Sequence, residues 1–193
     1  MFLSGEGPDD LGDWYRERQN WHEPRETGII EALLRAVAGD RFTVVDARIW
    51  KRIKKFKSGK HAHPETRNVL GLMLEAEERG CDILVFVRDQ DGYEDREADI
   101  NEGVRLARER FTPGVVGGVA VQEIEAWILA LLGDRGSEAH ANAKQELAER
   151  HRIASLAEKV AVVEGADIHR VPEDAISLRD WLNDASVAFV MLR

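Results

Sequence analysis

Two aspartates separated by one residue follow an apolar segment near the middle of the chain. Asp89 and Asp91 lie in the sequence FVRDQDG, immediately before Gly92. If the chain stays extended beyond Val87, residues two positions apart project to the same side, so both carboxylates can bind one cation. Gly92 then permits a sharp turn. Since carboxylate oxygens are the ligands that Mg²⁺ prefers, metal-dependent phosphate chemistry is one interpretation of this segment.

Acidic residues also follow two other segments that are predicted to be strands. Glu6 follows a short apolar segment at the N-terminus, and Glu123 and Glu125 follow VVGGVAV. In an open parallel sheet, functional groups gather beyond the carboxyl ends of the strands. An isolated Asp-x-Asp-Gly is more often a polar turn, but three acidic groups at three strand ends favour a shared site for Mg²⁺ or Mn²⁺. The predicted catalytic and metal-binding residues are Glu6, Asp89 and Asp91, completed by Glu125 or, as second choice, Glu123.

The elements that must position these acids alternate between apolar and amphipathic segments, which is typical of an α/β fold with a mostly parallel sheet. The acidic, glycine-containing sequence GEGPDDLGDW is expected to be a loop. Strands are predicted near residues 2–4, 42–47, 82–87 and 115–121. Helices are predicted over residues 26–38, 64–79 and 96–110, and a further helix begins in QEIEAWILALL.

The last third of the sequence differs in character from the rest. After Gly133 it is polar and alanine-rich, which predicts helices over residues 139–151 and 155–163 and a final segment that combines a helix with an apolar end. We therefore expect one domain over residues 1–193, with an α/β core to about residue 133 and a mainly helical extension from about residue 134.

Composition limits the class of protein. Hydrophobic residues make up 44% of the 193 residues, enough for a sizeable core, and no segment has the apolar length of a membrane span. Cys81 is the single cysteine, so no internal disulfide can form, and a reducing cytoplasm is the expected location. The formal net charge of −9 argues against a protein that coats nucleic acid by bulk electrostatics.

Positive charge is nevertheless concentrated in one segment. Residues 47–63 contain seven lysines and arginines and no acid, which favours contact with a phosphate backbone. An apolar stripe at helical spacing, formed by Ile49, Trp50, Ile53 and Phe56, predicts an amphipathic helix here with its aromatic rings in the core. The predicted nucleic-acid-binding residues are Lys51, Arg52, Lys54, Lys55, Lys57 and Lys60, together with Arg88 beside the aspartates.

Three segments together resemble a known fold. The sequences FLSGEGPDDLG, FVRDQDG and VAVQEIEAW resemble the TOPRIM-like fold, and most closely the small TOPRIM-related proteins akin to the nuclease domain of the OLD (overcoming lysogenization defect) family. The resemblance covers about two-thirds of the chain. It implies a Rossmann-like sheet in which Glu6 and the Asp89/Asp91 pair hold the metal and Glu125 belongs to a glutamate-tryptophan motif.

The same resemblance implies a function. It implies a metal-dependent nuclease acting on DNA or RNA, in phage defence or nucleic-acid processing, with an ATPase as a possible partner. Glu6 is alternatively a general base. A catalytic lysine is not assigned by the motifs, and Lys57 or Lys60 is the nearest candidate.

Two other functions stay open at this point. In a haloacid-dehalogenase-like phosphatase, Asp89 is the nucleophile and Asp91 the acid/base. Two features argue against that function. Tyr93, directly after Gly92, stands where such phosphatases usually have threonine or valine, and the motif lies near the middle of the chain instead of near its start. A metal-stabilised adaptor without catalytic activity, docking through its helical last third, is the other alternative. A zinc site at His61 and His63 is less favoured than a loop, because Pro64 begins the next predicted helix.

Overall fold

The computed structural model describes residues 1–15, 25–53 and 63–191. Within these residues, four parallel strands form one sheet with the order β2-β1-β3-β4. The expected α/β class with a parallel sheet is confirmed. The strands are β1 (Phe2–Gly5), β2 (Asp46–Ile49), β3 (Ile83–Asp89) and β4 (Gly114–Ala120).

Helices connect the strands and cover both faces of the sheet. Two predictions of helix bounds are confirmed closely, since one helix begins at Pro64 and another spans Arg96–Arg110. None of the helices in the described part of the chain is long and apolar enough to cross a membrane. The helices are α1 (Pro8–Leu11), α2 (Ile29–Ala38), α3 (Pro64–Glu78), α4 (Arg96–Arg110), α5 (Ile124–Leu131), α6 (Ala143–Arg150), α7 (Leu156–Gly165) and α8 (Ile176–Met191).

The central strand β3 is buried on both faces, as its continuous apolar sequence predicts. Leu84 and Phe86 pack on the side of α3 and α4, whereas Val85 and Val87 pack on the side of α2, α5 and α8. This alternation follows from the two-residue period of a strand. Two separate hydrophobic clusters therefore fix the sheet from opposite sides and hold its carboxyl edge in place.

The last helix, α8, belongs to the core layer that covers β4. Trp181 is 2% exposed, and its indole Nε1 donates a hydrogen bond to the Phe86 carbonyl at 3.2 Å. Its ring lies 5.8 Å from the ring of Trp127 in α5. The helix predicted in the final segment is confirmed, and it continues through the apolar residues up to Met191.

The second strand lies later in the chain than predicted. A strand near residues 42–47 was expected, but pairing with β1 runs from Phe2 opposite Asp46 to Gly5 opposite Ile49. The parallel register sets these bounds, because β1 starts only at Phe2. The apolar Phe42 instead packs against Phe189 of α8, with ring centroids 5.7 Å apart.

The predicted amphipathic helix at the start of the basic segment is wrong within the described residues. Ile49 ends β2, Trp50–Arg52 form a single 3₁₀ turn, and Ile53 is extended. The core position of Trp50 is confirmed, since it is 5% exposed. Phe56, His61 and the lysines at positions 54, 55, 57 and 60 lie outside the described residues.

Candidate functional site

The carboxyl ends of β1, β3 and β4 bring acidic side chains together. Glu6 directly follows β1, Asp89 ends β3, and Glu125 lies in the first turn of α5 after β4. The Glu6 Oε1 atom accepts a hydrogen bond from the Asp89 backbone N–H at 3.0 Å. In turn, Asp89 Oδ1 accepts one from the Ile124 backbone N–H at 2.9 Å. Residues predicted from three distant segments therefore meet at one edge of the sheet.

The two aspartates of the Asp-x-Asp sequence do not project together. The extended conformation ends at Asp89, and Asp91 adopts a left-handed backbone conformation with φ of 49° in the turn before Gly92. The expectation that an extended chain aligns both carboxylates is therefore wrong. Asp89 faces the α5 side, where it contacts Ile124, whereas the Asp91 Oδ2 atom accepts a hydrogen bond from Arg96 at 2.9 Å.

A buried lysine lies among the acids on the α5 side. Lys159 of α7 is 1% exposed, and its Nζ lies 2.5 Å from Asp9 Oδ2 and 2.7 Å from Glu125 Oε1. Burial by itself lowers the pKa of Lys159, but the hydrogen bonds to both carboxylates raise it above its ordinary value. We call Lys159, Asp9, Glu125, Asp10 and Asp89 the Lys159 cluster.

Asp10 is the most enclosed acid of this cluster. Asp10 is only 7% exposed. Its Oδ2 atom accepts hydrogen bonds from the backbone N–H groups of Glu6 at 2.6 Å and Gly7 at 3.1 Å. Burial raises the pKa of Asp10 to about 7, and the negative charges of Glu125 and Asp9 add to this, while the Gly7 N–H opposes it. Asp10 therefore carries its negative charge at a free-energy cost near neutral pH.

Asp89 behaves in the same way. Burial raises its pKa to about 7, and the charges of Asp10 and Glu125 raise it further, against the hydrogen bond from the Ile124 N–H. Several buried carboxylates thus share one lysine. The cluster has an excess of negative charge that an additional cation would neutralise.

Sequence reasoning did not identify Asp9, Asp10 and Lys159 as site residues. One local signal for Asp10 was present, because Pro8 at a helix start predicts that Asp10 lies about one turn after Glu6. The structure indeed forms α1 where a loop was expected. Lys159 gave no comparable signal, since it follows Asp9 by 150 residues. The lysines proposed earlier, Lys57 and Lys60, lie outside the described residues.

The structure separates the two glutamates of the EIE sequence. Glu125 is buried and contacts Lys159. Glu123, in contrast, precedes α5, and its Oε1 accepts a hydrogen bond from the backbone N–H of Lys144 at 2.5 Å, near the start of α6. Of the two, Glu125 is therefore the one placed among the other acids.

On the α3 and α4 side of the sheet edge, two buried arginines hold the β3–α4 turn. Arg96 donates from Nη1 to the carbonyls of Asp89 at 2.5 Å and Gln90 at 2.9 Å, and also to Asp91. Arg88 forms ion pairs with Glu6 and, at 3.4 Å, with Asp91. Burial and the neighbouring Arg96 lower the pKa of Arg88 to about 10, so it remains charged.

Glu65 at the start of α3 connects this network. Its carboxylate lies 3.4 Å from Arg88 Nε and 3.3 Å from Arg96 Nε. It also accepts hydrogen bonds from Trp50 Nε1 at 2.9 Å and Asn68 Nδ2 at 3.2 Å. We call Arg88, Arg96 and Glu65 the arginine network. It fixes the position of Asp91 relative to Glu6.

A cavity of about 660 Å³ adjoins the arginine network. Lys51 lies in its wall, whereas Arg52 is exposed at the same end of the sheet. Tyr93, with 66% exposure, lies at the cavity, and the Arg96 guanidinium is 4.8 Å from its ring centroid. His63 caps α3, and its Nδ1 lies 2.7 Å from a carboxylate oxygen of Asp99. The cavity is lined by Trp50, Lys51, Ile53, His63, Pro64, Glu65, Asn68, Arg88, Gly92, Tyr93, Glu94, Asp95, Arg96 and Asp99.

The donor chemistry of the Lys159 cluster fits a hard divalent cation. Its ligands are carboxylate oxygens, and burial makes their negative charge costly without a counter-ion. In the described part of the chain, however, no three acidic, histidine or cysteine side chains already form a set of metal ligands. Lys159 and Arg88 hold several of the oxygens instead.

Comparisons of the chain with protein-family models, curated proteins and solved structures find no match.

Proposed function

We propose that the protein is an Mg²⁺- or Mn²⁺-dependent phosphodiesterase that cleaves DNA or RNA. The observation that carries this proposal is the contact of acids from three strand ends, with Glu6 bonded to the Asp89 N–H and Asp89 bonded to the residue before Glu125. Such an arrangement at the carboxyl edge of a parallel sheet is the usual place for a catalytic site.

Each acid has a role that follows from its position. Asp89 and Glu125, with Asp10 behind them, provide the hard oxygen ligands for the ion, and Glu6 closes the site from the β1 side. A bound divalent ion would lower the pKa of a water molecule and stabilise charge on the phosphoryl oxygens. Lys159 holds Glu125 and Asp9 in place and is itself excluded from water.

The charge balance of the site supports the proposal. The Lys159 cluster contains four buried or half-buried carboxylates and one lysine, which contacts two of them. The pKa values of Asp10 and Asp89 are raised to about 7. A structural network without function is usually charge-matched, because an uncompensated buried charge destabilises the fold. Excess negative charge is therefore more consistent with a site that binds a cation.

The fold supports the TOPRIM-like interpretation as part of this proposal. Within the described residues the sheet is entirely parallel, and its two central strands are β1 and β3. Glu6 directly follows β1, and Asp89 is the last residue of β3. On that interpretation the protein acts in phage defence or nucleic-acid processing, and an ATPase is its candidate partner. Arg52 and the exposed Lys51 at the same edge of the sheet are suited to contact the phosphate backbone.

Cleavage assays with purified protein test the proposal. Supercoiled plasmid, single-stranded DNA and RNA are each incubated with Mg²⁺, with Mn²⁺ or with chelator. We expect cleavage only with metal, and losses on the order of 100-fold or more in Asp89→Asn and Glu125→Gln, because the ion supplies several kcal/mol of transition-state stabilisation. Glu123→Gln is the matched control and should retain activity within about threefold, since Glu123 faces α6.

The outcomes distinguish the alternative functions. Cleavage that survives both Asp89→Asn and Glu125→Gln would refute the assignment of the site. Release of phosphate from small monoesters with an acid-labile phosphate on Asp89 would instead identify a phosphatase. Absence of any cleavage by protein that binds metal would favour the adaptor function.

A further inference from the structure

Arg88 occupies a position between the acids and the cavity. Its guanidinium pairs with Glu6 and lies 3.4 Å from Asp91 on one side, while its Nε lies 3.4 Å from Glu65 on the other. The same residue lines the cavity of about 660 Å³. Two of the three acids that hold Arg88, Glu6 and Asp91, are among the residues predicted from the sequence to bind metal. The space beside Arg88 is large enough for a ligand of nucleotide size.

We propose that Arg88 exchanges partners: it pairs with Glu6 in the metal-free protein and, when a divalent cation takes Glu6, binds a phosphate group of the nucleic-acid strand in the adjoining cavity. This inference rests on the proposed function, and it adds the exchange of partners by Arg88 and the cavity that receives the substrate. No covalent bond is made or broken in the exchange, because the Arg88 side chain only moves from one anionic partner to another.

Electrostatics provides the physical reason for the exchange. A divalent cation on Glu6 removes the attraction that holds Arg88 there and repels the guanidinium, since like charges about 4 Å apart interact by about 4 kcal/mol near a protein surface. Glu65 keeps the Arg88 side chain at the cavity wall, 3.4 Å from Nε. A guanidinium placed there binds a phosphate through two parallel hydrogen bonds.

The remaining lining of the cavity fits one nucleotide. Lys51 offers a second positive charge at the same wall, and exposed Tyr93 offers an aromatic ring for a base. The acids Glu94 and Asp95 at the rim disfavour a second phosphate there. Because Arg88 lines this cavity and also pairs with Glu6, a strand lying in the cavity would pass beside Glu6.

The first experiment measures thermodynamic coupling between metal and phosphate by calorimetry. Adenosine 5′-monophosphate is the probe, because it lacks a phosphodiester bond, and adenosine is the control without phosphate. We expect Mg²⁺ to tighten binding of the monophosphate about tenfold in the wild type, within the usual range of coupling between sites, and to leave adenosine unchanged. Arg88→Met should bind Mg²⁺ more tightly than the wild type, and Mg²⁺ should no longer affect its monophosphate affinity.

A second variant tests the exchange without metal. Glu6→Gln removes the partner that holds Arg88, so it should bind the monophosphate in chelator about as tightly as the wild type does with Mg²⁺. Arg170→Gln is the charge-matched control for Arg88→Met, because Arg170 is exposed and lies in the C-terminal part of the chain. It should behave as the wild type in every titration.

Three results would overturn the inference. They are an unchanged monophosphate affinity in Glu6→Gln, a weakened Mg²⁺ affinity in Arg88→Met, and a failure of the monophosphate to compete with a single-stranded oligonucleotide. Failure of the proposed function is distinguishable. If the wild type binds no divalent metal at all, the Glu6→Gln titration in chelator still decides whether Arg88 and the cavity form a phosphate site.

Discussion

Replacing the buried carboxylate of Asp10 by an amide should stabilise the protein at alkaline pH. The amide oxygen of an asparagine can still accept the backbone N–H groups of Glu6 and Gly7 that Asp10 binds at 2.6 and 3.1 Å. The substitution therefore removes the negative charge and keeps the hydrogen bonds. Because Asp10 is 7% exposed and lies beside other acids, this charge destabilises the fold in the absence of a cation.

The magnitude follows from the pKa of Asp10. A pKa raised from its ordinary 3.8 to about 7 corresponds to about 4 kcal/mol, at about 1.36 kcal/mol for each pKa unit. Since the folded pKa exceeds the unfolded one, the folded state binds more protons between these values, and stability falls as pH rises from about 4 to about 7. Between pH 5 and pH 8 the wild type should lose about 2–3 kcal/mol more unfolding free energy than Asp10→Asn does.

Urea denaturation in chelator at pH 5 and pH 8 measures this difference. Asp13→Asn is the control, because Asp13 also accepts a backbone N–H, from Glu26 at 2.7 Å, but lies half-buried in a 3₁₀ turn outside the Lys159 cluster. Asp13→Asn should not gain unfolding free energy relative to the wild type between pH 5 and pH 8. If Asp10→Asn is destabilised equally at both pH values, the Asp10 carboxylate stabilises the folded state, and the reasoning about excess negative charge is refuted. Adding Mg²⁺ at pH 8 should raise the stability of the wild type more than that of Asp10→Asn.

Two further substitutions test the site and the sheet that positions it. Lys159→Met should lower the unfolding free energy by about 3–5 kcal/mol at pH 8, because it leaves buried carboxylates unpaired, whereas Lys144→Met on the exposed surface of α6 should change it by less than about 0.5 kcal/mol. Equal effects of the two lysine substitutions in urea denaturation would contradict the role of Lys159. Gly117→Ala places a methyl group against the aromatic ring of the paired residue in β3 and should cost about 1–3 kcal/mol, visible as a lower Tm. Gly165→Ala, where nothing lies within 4 Å, should not lower Tm, and a matching loss there would show that the packing argument is wrong.

Local pattern was sufficient for most of the elements. The apolar segment of β3 and the helix from Arg96 to Arg110 follow from hydrophobic period and from glycine and proline positions, which act over a few residues. The bounds of β2 did not follow, because they depend on its register with β1. The apolar residues that suggested an earlier strand are used elsewhere, as in the contact of Phe42 with α8.

The sequence by itself determined the alternation of strands and helices and the position of Glu6, Asp89 and Glu125 at or just after the ends of strands. Only the tertiary structure decided which acids share a site. It separated Asp91 from Asp89 by a left-handed turn, joined Arg88 to Glu6, and brought Lys159 from 150 residues away to Asp9. The physical reason is that these pairings depend on how helices pack across the sheet, and spacing along the chain does not record contacts made through space.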